Sequence, residues 1–350
     1  MDNTSDLLRD TATKFFADHT DAAALRAAEQ GIWPAKAWNA IEAAGLHRAL
    51  VDEDAGGYGL PITDALSLLR IAGEHALPLP LAETLLAGWL LAGARLAIPD
   101  GPLTIGPVAG ETLLLHRDGA NWRLTGTATR IPWGRHAHAA AILALHGTTP
   151  MIACVPASAW HAEPGENLAC EPRDTLQIDA LLPADAVGPA RIDATQLRAA
   201  GAAMRALQIS GALARITAMT TQYAMERVQF GRPIGKFQAV QQNLAIMAGQ
   251  TAAATAAADL GAEAFADNLR LLPIAAAKSR AGEAAGIATA HAHQIHGAIG
   301  FTYEHSLHFL TKRLWSWRDE FGHETEWNRL LGRHMAQAGA DHLWAELTAA

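Results

Sequence analysis

Glu226-Arg227-Val228-Gln229-Phe230-Gly231-Arg232-Pro233-Ile234-Gly235-Lys236-Phe237-Gln238-Ala239-Val240-Gln241 reads as a joint between two long helices. Upstream, Ile209, Leu213, Ile216, Met219 and Tyr223 recur at helical spacing and form one apolar stripe. Gly231 and Pro233 end that helix, because glycine tolerates turn conformations and proline lacks a backbone N–H. Downstream, Phe237, Val240, Leu244 and Met247 open a second helix with the same period. Leu272 to His296 predicts a third, rich in alanine and glycine that let helix axes approach closely. Glu304 to Trp317 and Glu324 to Glu346 read as the last helices. Residues 191–350 are thus expected to form a C-terminal four-helix bundle.

Working outward from the bundle, the texture changes before residue 191. Across 103–190, short apolar runs such as Thr112 to Leu115 and Ala140 to Leu145 alternate with turn residues, and Asp118-Gly119 reads as a hairpin turn. This predicts a small, β-barrel-like middle domain. Residues 1–102 return to helical spacing. Leu7, Leu8, Ala12, Phe15 and Phe16 share a face, and Pro34 to Ala44 forms a helix capped by Gly45. Asp52 to Pro61 is a glycine-rich loop, followed by helices at Thr63 to His75 and Ala82 to Leu96. The expected fold is mainly α with a central β domain.

Composition limits the function classes. Half of the 350 residues are apolar and 18% are charged, as in an ordinary globular protein. A formal net charge of -8 argues against a nucleic-acid partner, since phosphate backbones attract basic surfaces. Two cysteines, Cys154 and Cys170, provide no disulfide framework and suit a reducing cytoplasm. The start, Met1 to Asp6, lacks the basic and apolar character of a signal peptide. The apolar stretch from Leu85 to Ile98 is broken by Gly88, Gly93 and Arg95, so it reads as a core helix and no membrane span is expected.

Three segments together resemble the acyl-CoA dehydrogenase family. Glu226 to Gln241 is similar to its Arg-x-x-Phe-Gly stretch followed by Phe-Gln and a helix. Gln294-Ile295-His296-Gly297-Ala298-Ile299-Gly300-Phe301-Thr302-Tyr303-Glu304 is similar to its Gln-x-x-Gly-Gly-x-Gly segment. The Asp52 to Pro61 loop resembles its N-terminal Gly-Gly-x-Gly turn. The resemblance implies FAD as cofactor, an acyl-CoA substrate, dehydrogenation between the α and β carbons, a dimer or tetramer, and an electron-transfer flavoprotein as acceptor. It assigns Arg227, Gln229, Phe230, Gln238, Gln294 and Gly297 to the ADP half of an FAD whose flavin ring sits in a neighbouring subunit. By residue type alone Arg227 also reads as a helix cap, Phe230 as core, Gln238 as an exposed helix residue and Gly297 as a plain C-cap. With the motif around it, a guanidinium at a helix end suits a pyrophosphate.

The same comparison exposes two departures. The family's base is a buried carboxylate that removes the α-proton. Its place here falls at Phe321-Gly322, and its other known seat falls near Gly201 and Ala202, none of which can take a proton. Glu320, one residue away, is the candidate base. The segment expected to cup the flavin, Ile105 to Gly110, is short and apolar, leaving Thr127 and Thr129 to replace lost hydrogen bonds. Some members work as unlike pairs, and Pro78 to Thr84 resembles their shorter subunits. The resemblance therefore implies an FAD-dependent acyl-CoA dehydrogenase subunit, or a catalytically silent partner that completes another chain's FAD site. A metal is not expected: His291 and His293 point to opposite sides of a helix, and His293 with His296 makes only two ligands.

Overall fold

The computed structural model describes residues 3–342, 344 and 345. The side chains of Leu7 and Leu8, and the expected end of the last helix at Glu346, lie outside the described residues. In chain order the helices are α1 (Asn3–His19), α2 (Ala22–Glu29), α3 (Ala35–Ala43), α4 (Ile62–Glu74), α5 (Leu81–Gly93), α6 (Ala194–Glu226), α7 (Gln238–Ala266), α8 (Leu271–His296), α9 (Leu307–Asp319) and α10 (Glu324–Ala338). The strands are β1 (Leu103–Gly106), β2 (Leu114–Asp118), β3 (Asn121–Pro132), β4 (Ala139–His146), β5 (Thr149–Pro156), β6 (Trp160–Glu163), β7 (Arg173–Leu182), β8 (Val187–Pro189), β9 (Val228–Gln229) and β10 (Arg232–Pro233). The mainly α fold with a central sheet region is as expected. The chain divides into two compact units, Met1–Leu25 with Leu66–Leu77 and Ala202–Ala350, and Arg26–Ala65 with Pro78–Gly201.

In the first unit, small residues decide how closely helices pack. Gly73 of α4 and Gly211 of α6 form a backbone-to-backbone crossing. A Cβ on Gly73 would stand 2.0 Å from the Gln208 carbonyl oxygen, and one on Gly211 would stand 1.9 Å from that of Arg70. Between α7 and α8 the seam is alanine against alanine: Ala254, Ala258, Ala262, Ala277, Ala281, Ala284 and Ala288 are buried. A Cβ on Gly261 would lie 2.9 Å from that of Ala277. Larger side chains, Met247 and Phe265, are buried elsewhere along α7.

In the second unit the sheet runs β6-β7-β3-β2-β4-β5-β8, with β1 added parallel to β4. The expected hairpin at Asp118-Gly119 is present, joining β2 and β3 antiparallel. Strand β7 alternates buried and exposed residues, as a half-solvated strand must. Strand β4 is buried at six successive positions, matching its unbroken apolar run. Leu113, Leu124, Ile131, Ile142, Val155 and Leu176 pack as one core. The ladder between β3 and β7 slips between Ala128 and Ile131, so Thr129 and Arg130 form a bulge, Arg130 with φ 55°. Helix α5 is almost wholly buried and apolar apart from Glu83 and Thr84 in its first turn. The loop from Asp52 is tightly folded: a Cβ on Gly57 would stand 1.9 Å from the Val51 carbonyl oxygen.

Candidate functional site

The helix carrying Tyr223 stops at Glu226, earlier than the Gly231-Pro233 punctuation suggests, because residues 228–233 pair with themselves as the β9–β10 hairpin. Phe237 organises that hairpin. Phe230 meets it edge-on with ring centroids 6.2 Å apart, and the Arg232 guanidinium lies 4.3 Å above it. The end of α6 then meets the end of α8. Tyr223 stacks on His296 at 4.5 Å, and its hydroxyl donates to the His296 carbonyl at 3.5 Å.

Those neighbouring helix ends carry the residues singled out from the sequence. Arg227, Gln229, Phe230, Gln238, Gln294 and Gly297 are all exposed. Gln229 donates to the Val228 carbonyl at 2.8 Å. Among the described residues Arg227 and Gln294 have no mutual contact; Tyr223 and His296 link their segments. Gly297 caps α8 with its N–H on the His293 carbonyl, at φ 64°, and open space surrounds it. Phe230 is 92% exposed with φ 51°, unusual for a bulky aromatic residue. Val228, Ile299, Phe301 and Tyr303 are exposed on the same two segments. The sequence reading passed over Ile299, Phe301 and Tyr303; a run of apolar residues in a turn without helical phase was the available signal. An exposed guanidinium, carboxamide, open glycine and bare aromatic ring fit the phosphates and base of a dinucleotide.

In the β region Thr129, expected to meet the flavin ring, is engaged within the chain itself. The Glu111 carboxylate accepts from the Thr129 amide at 2.8 Å, from the Ala109 amide at 3.2 Å and from the Thr129 hydroxyl. The β3 bulge releases the Thr129 amide from its ladder and makes this capture possible. Burial works against the charge on Glu111, yet these hydrogen bonds prevail and hold its carboxyl below the ordinary value. Thr129 is thus committed to the chain's own carboxylate, and Thr127 lies exposed in the ladder opposite Gln177. The exposed residues at the ends of α6 and α8 fit the ADP half of FAD, whereas Thr129, held by Glu111, does not fit the contact to the isoalloxazine expected of it.

At the expected seat of the base, Phe321 is buried at φ 54° and Gly322 follows at φ 102°. Glu320 faces α6, where Arg205 Nε donates to its Oε2 at 2.8 Å. The side chains are 3% and 17% exposed, so this is a largely buried ion pair. Arg205 also donates to Gln208. Gly201 and Ala202, the other seat, are buried. Lys278 of α8 pins the same turn, its Nζ donating to the carbonyls of Arg318 at 2.5 Å and Gly322 at 2.9 Å. Burial lowers the Lys278 ammonium to about 7, against the pull of Glu320, Glu324 and Asp319. Between that value and 10.5 the unfolded chain holds one more proton than the folded chain, so this lysine makes stability rise with pH. From pH 7 to 9 the native chain should therefore gain stability relative to Lys278→Met, by about 1 kcal/mol per pH unit. Urea unfolding of both proteins at pH 7, 8 and 9 checks this; parallel curves would refute it.

The histidines are used for packing. His293 stacks between Phe301 at 4.3 Å and Trp315 at 5.6 Å, with Nε2 at 3.0 Å from the Thr311 hydroxyl. Burial lowers the pKa of His293, His296 and His305, and neighbouring imidazoles add to it. No group of three or more His, Cys, Asp or Glu is placed to hold a metal among the described residues. Nor is any helix among them long and apolar enough to cross a membrane.

Comparison with known proteins adds the relatives. Residues 2–92 match the acyl-CoA dehydrogenase N-terminal domain family and residues 194–317 the acyl-CoA dehydrogenase C-terminal domain family. The chain is 31% identical to acyl-CoA dehydrogenase IpdE2 of Mycobacterium tuberculosis over 324 residues, covering 88% of this chain and 89% of the relative. Among solved structures, a steroid ACAD variant of the Tcur3481-Tcur3483 pair is 26% identical with TM-score 0.85, covering 99% of each chain. The ChsE4-ChsE5 complex of Mycobacterium tuberculosis shares the fold at 24% identity and TM-score 0.84, covering 97% of this chain and 99% of that one.

Proposed function

Because the chain belongs to the FAD-dependent acyl-CoA dehydrogenase family, we propose that it is the catalytically silent subunit of a heteromeric, cytoplasmic acyl-CoA dehydrogenase. When bound, FAD supplies a hydride acceptor for α,β-dehydrogenation of an acyl-CoA thioester to the enoyl-CoA. In this reading Arg227 and Gln294, with the open backbone at Gly297, hold the cofactor's diphosphate. Phe230 and Gln238 face its adenine, and Gln229 orders the turn between them. The unlike subunit contributes the flavin cradle and the base, and an electron-transfer flavoprotein takes the electrons. One observation carries the assignment: Glu320, the carboxylate beside the base's seat, is engaged by buried Arg205 while the seat itself holds Phe321. The engagement of Thr129 by Glu111 supports it independently. Two solved relatives named as pairs favour the same reading.

The purified chain alone is expected to be colourless, and co-purified with its unlike subunit to be yellow and bleached by a suitable acyl-CoA. Arg227→Ala in that complex should weaken FAD retention about tenfold, the scale of one charge-assisted hydrogen-bonding group. A yellow homomer that acyl-CoA bleaches would replace this proposal with the other reading, dehydrogenation by this chain itself. Loss of turnover in Glu320→Gln would then identify Glu320 as its base.

A further inference from the structure

A cavity of about 930 Å³ opens in the second unit, among the Asp52–Ala55 turn, the end of α5, strand β5 and Arg191-Ile192. Its inner wall is apolar: Leu50, Leu90, Ile152 and Ile192 line it and are buried. Two guanidinium groups also line it, those of Arg95 and Arg191. Neither has an ion-pair or hydrogen-bond partner for its side chain among the described residues. A methyl group on Gly93 would lie 3.7 Å from Arg191 Cδ, so Arg191 runs along the last turn of α5.

Arg95 lies in the turn that ends α5. It follows the α5 C-cap Ala94 with φ 59°, its N–H on the Ala92 carbonyl. That left-handed position after a helix is where glycine is normally found, as Gly45 after α3 illustrates. Ala76 fills the same position after α4 at φ 51°; after α5 the position carries a long cationic side chain that lines the cavity. Asp52, Glu53 and Asp54 also line the cavity. Three carboxylates repel a polyanion, whereas two guanidinium groups and an apolar wall suit a single negative charge on an apolar body.

We propose that this cavity binds a monoanionic amphiphile, a carboxylate on an aliphatic or alicyclic body, with its head on Arg95 and Arg191. The volume is that of a small-ligand pocket. None of the residues proposed above to hold the dinucleotide lines it, and the inference does not depend on the subunit role.

Calorimetric titration of the full chain with decanoate is the test. One site per chain is expected, with Kd on the order of 100 µM for a ligand of this size. Arg95→Gly keeps the left-handed turn, so its melting temperature should equal or exceed that of the native chain while binding weakens at least tenfold. Arg191→Gln should weaken binding similarly. Absence of saturable binding, undiminished binding in a folded Arg95→Gly chain, or displacement of decanoate by equimolar inorganic phosphate would each overturn the proposal.

Discussion

Gly211→Ala is expected to destabilise the chain by about 3 kcal/mol, the upper part of the range for overpacking. The added methyl would stand 1.9 Å from the Arg70 carbonyl oxygen and 2.9 Å from the Glu74 amide nitrogen. Both obstacles are backbone within α4, so no side chain can rotate out of the way. The helices must separate, and the bonds that tie Arg70 to the unit, to Ser210 at 3.0 Å and Asp259 at 2.5 Å, stretch with them. Gly332→Ala is the matched control. That glycine sits in α10, exposed, with nothing within 4 Å of an added Cβ, so alanine there should stabilise by about 0.5–1 kcal/mol. Urea midpoints of the two variants should move in opposite directions; a common shift would refute the crossing argument.

Arg205→Ala should cost a similar amount, about 3 kcal/mol, for a different reason. It strands the Glu320 carboxylate, 17% exposed, without its guanidinium. Glu320→Gln keeps a hydrogen-bond acceptor in place and should cost less. Adding Glu320→Gln to Arg205→Ala should then recover part of the loss, giving a coupling energy of about 1–3 kcal/mol in the double-mutant cycle. Additive effects would mean that the pair is only a contact. In the assembled enzyme, Glu320→Gln should leave the bound flavin reducible by substrate at the native rate, which a base at that position forbids.

The helices and the sheet were legible because their signals are local. The stripe from Ile209 to Tyr223, the turn at Asp118-Gly119 and the apolar run of β4 each lie within a few residues of one another, and each formed as its spacing suggests. The candidate site rests on residues that only the resemblance supplies. What stayed hidden needs distant residues to meet. Arg205 reaches Glu320 across 115 positions and Lys278 reaches Gly322 across 44, so no window of sequence contains either pairing. The capture of Thr129 by Glu111 depends on a bulge, and alternation along β3 gives no sign of where a ladder slips. The β9–β10 hairpin reads in sequence as a simple stop, because a glycine and a proline announce the end of a helix more loudly than a two-residue strand announces itself.

The alanine seam between α7 and α8 has a consequence for alignment. Alanine has no rotamers to freeze, so drawing these helices together costs little side-chain entropy. The same uniformity makes the seam almost indifferent to sliding: moved by one turn, about 5.4 Å, alanine meets alanine again. Such an interface can measure separation but cannot count positions. The counting falls to Gly261, whose missing methyl leaves room for Ala277 where a Cβ would stand 2.9 Å away, the one notch of a key whose shaft is otherwise smooth.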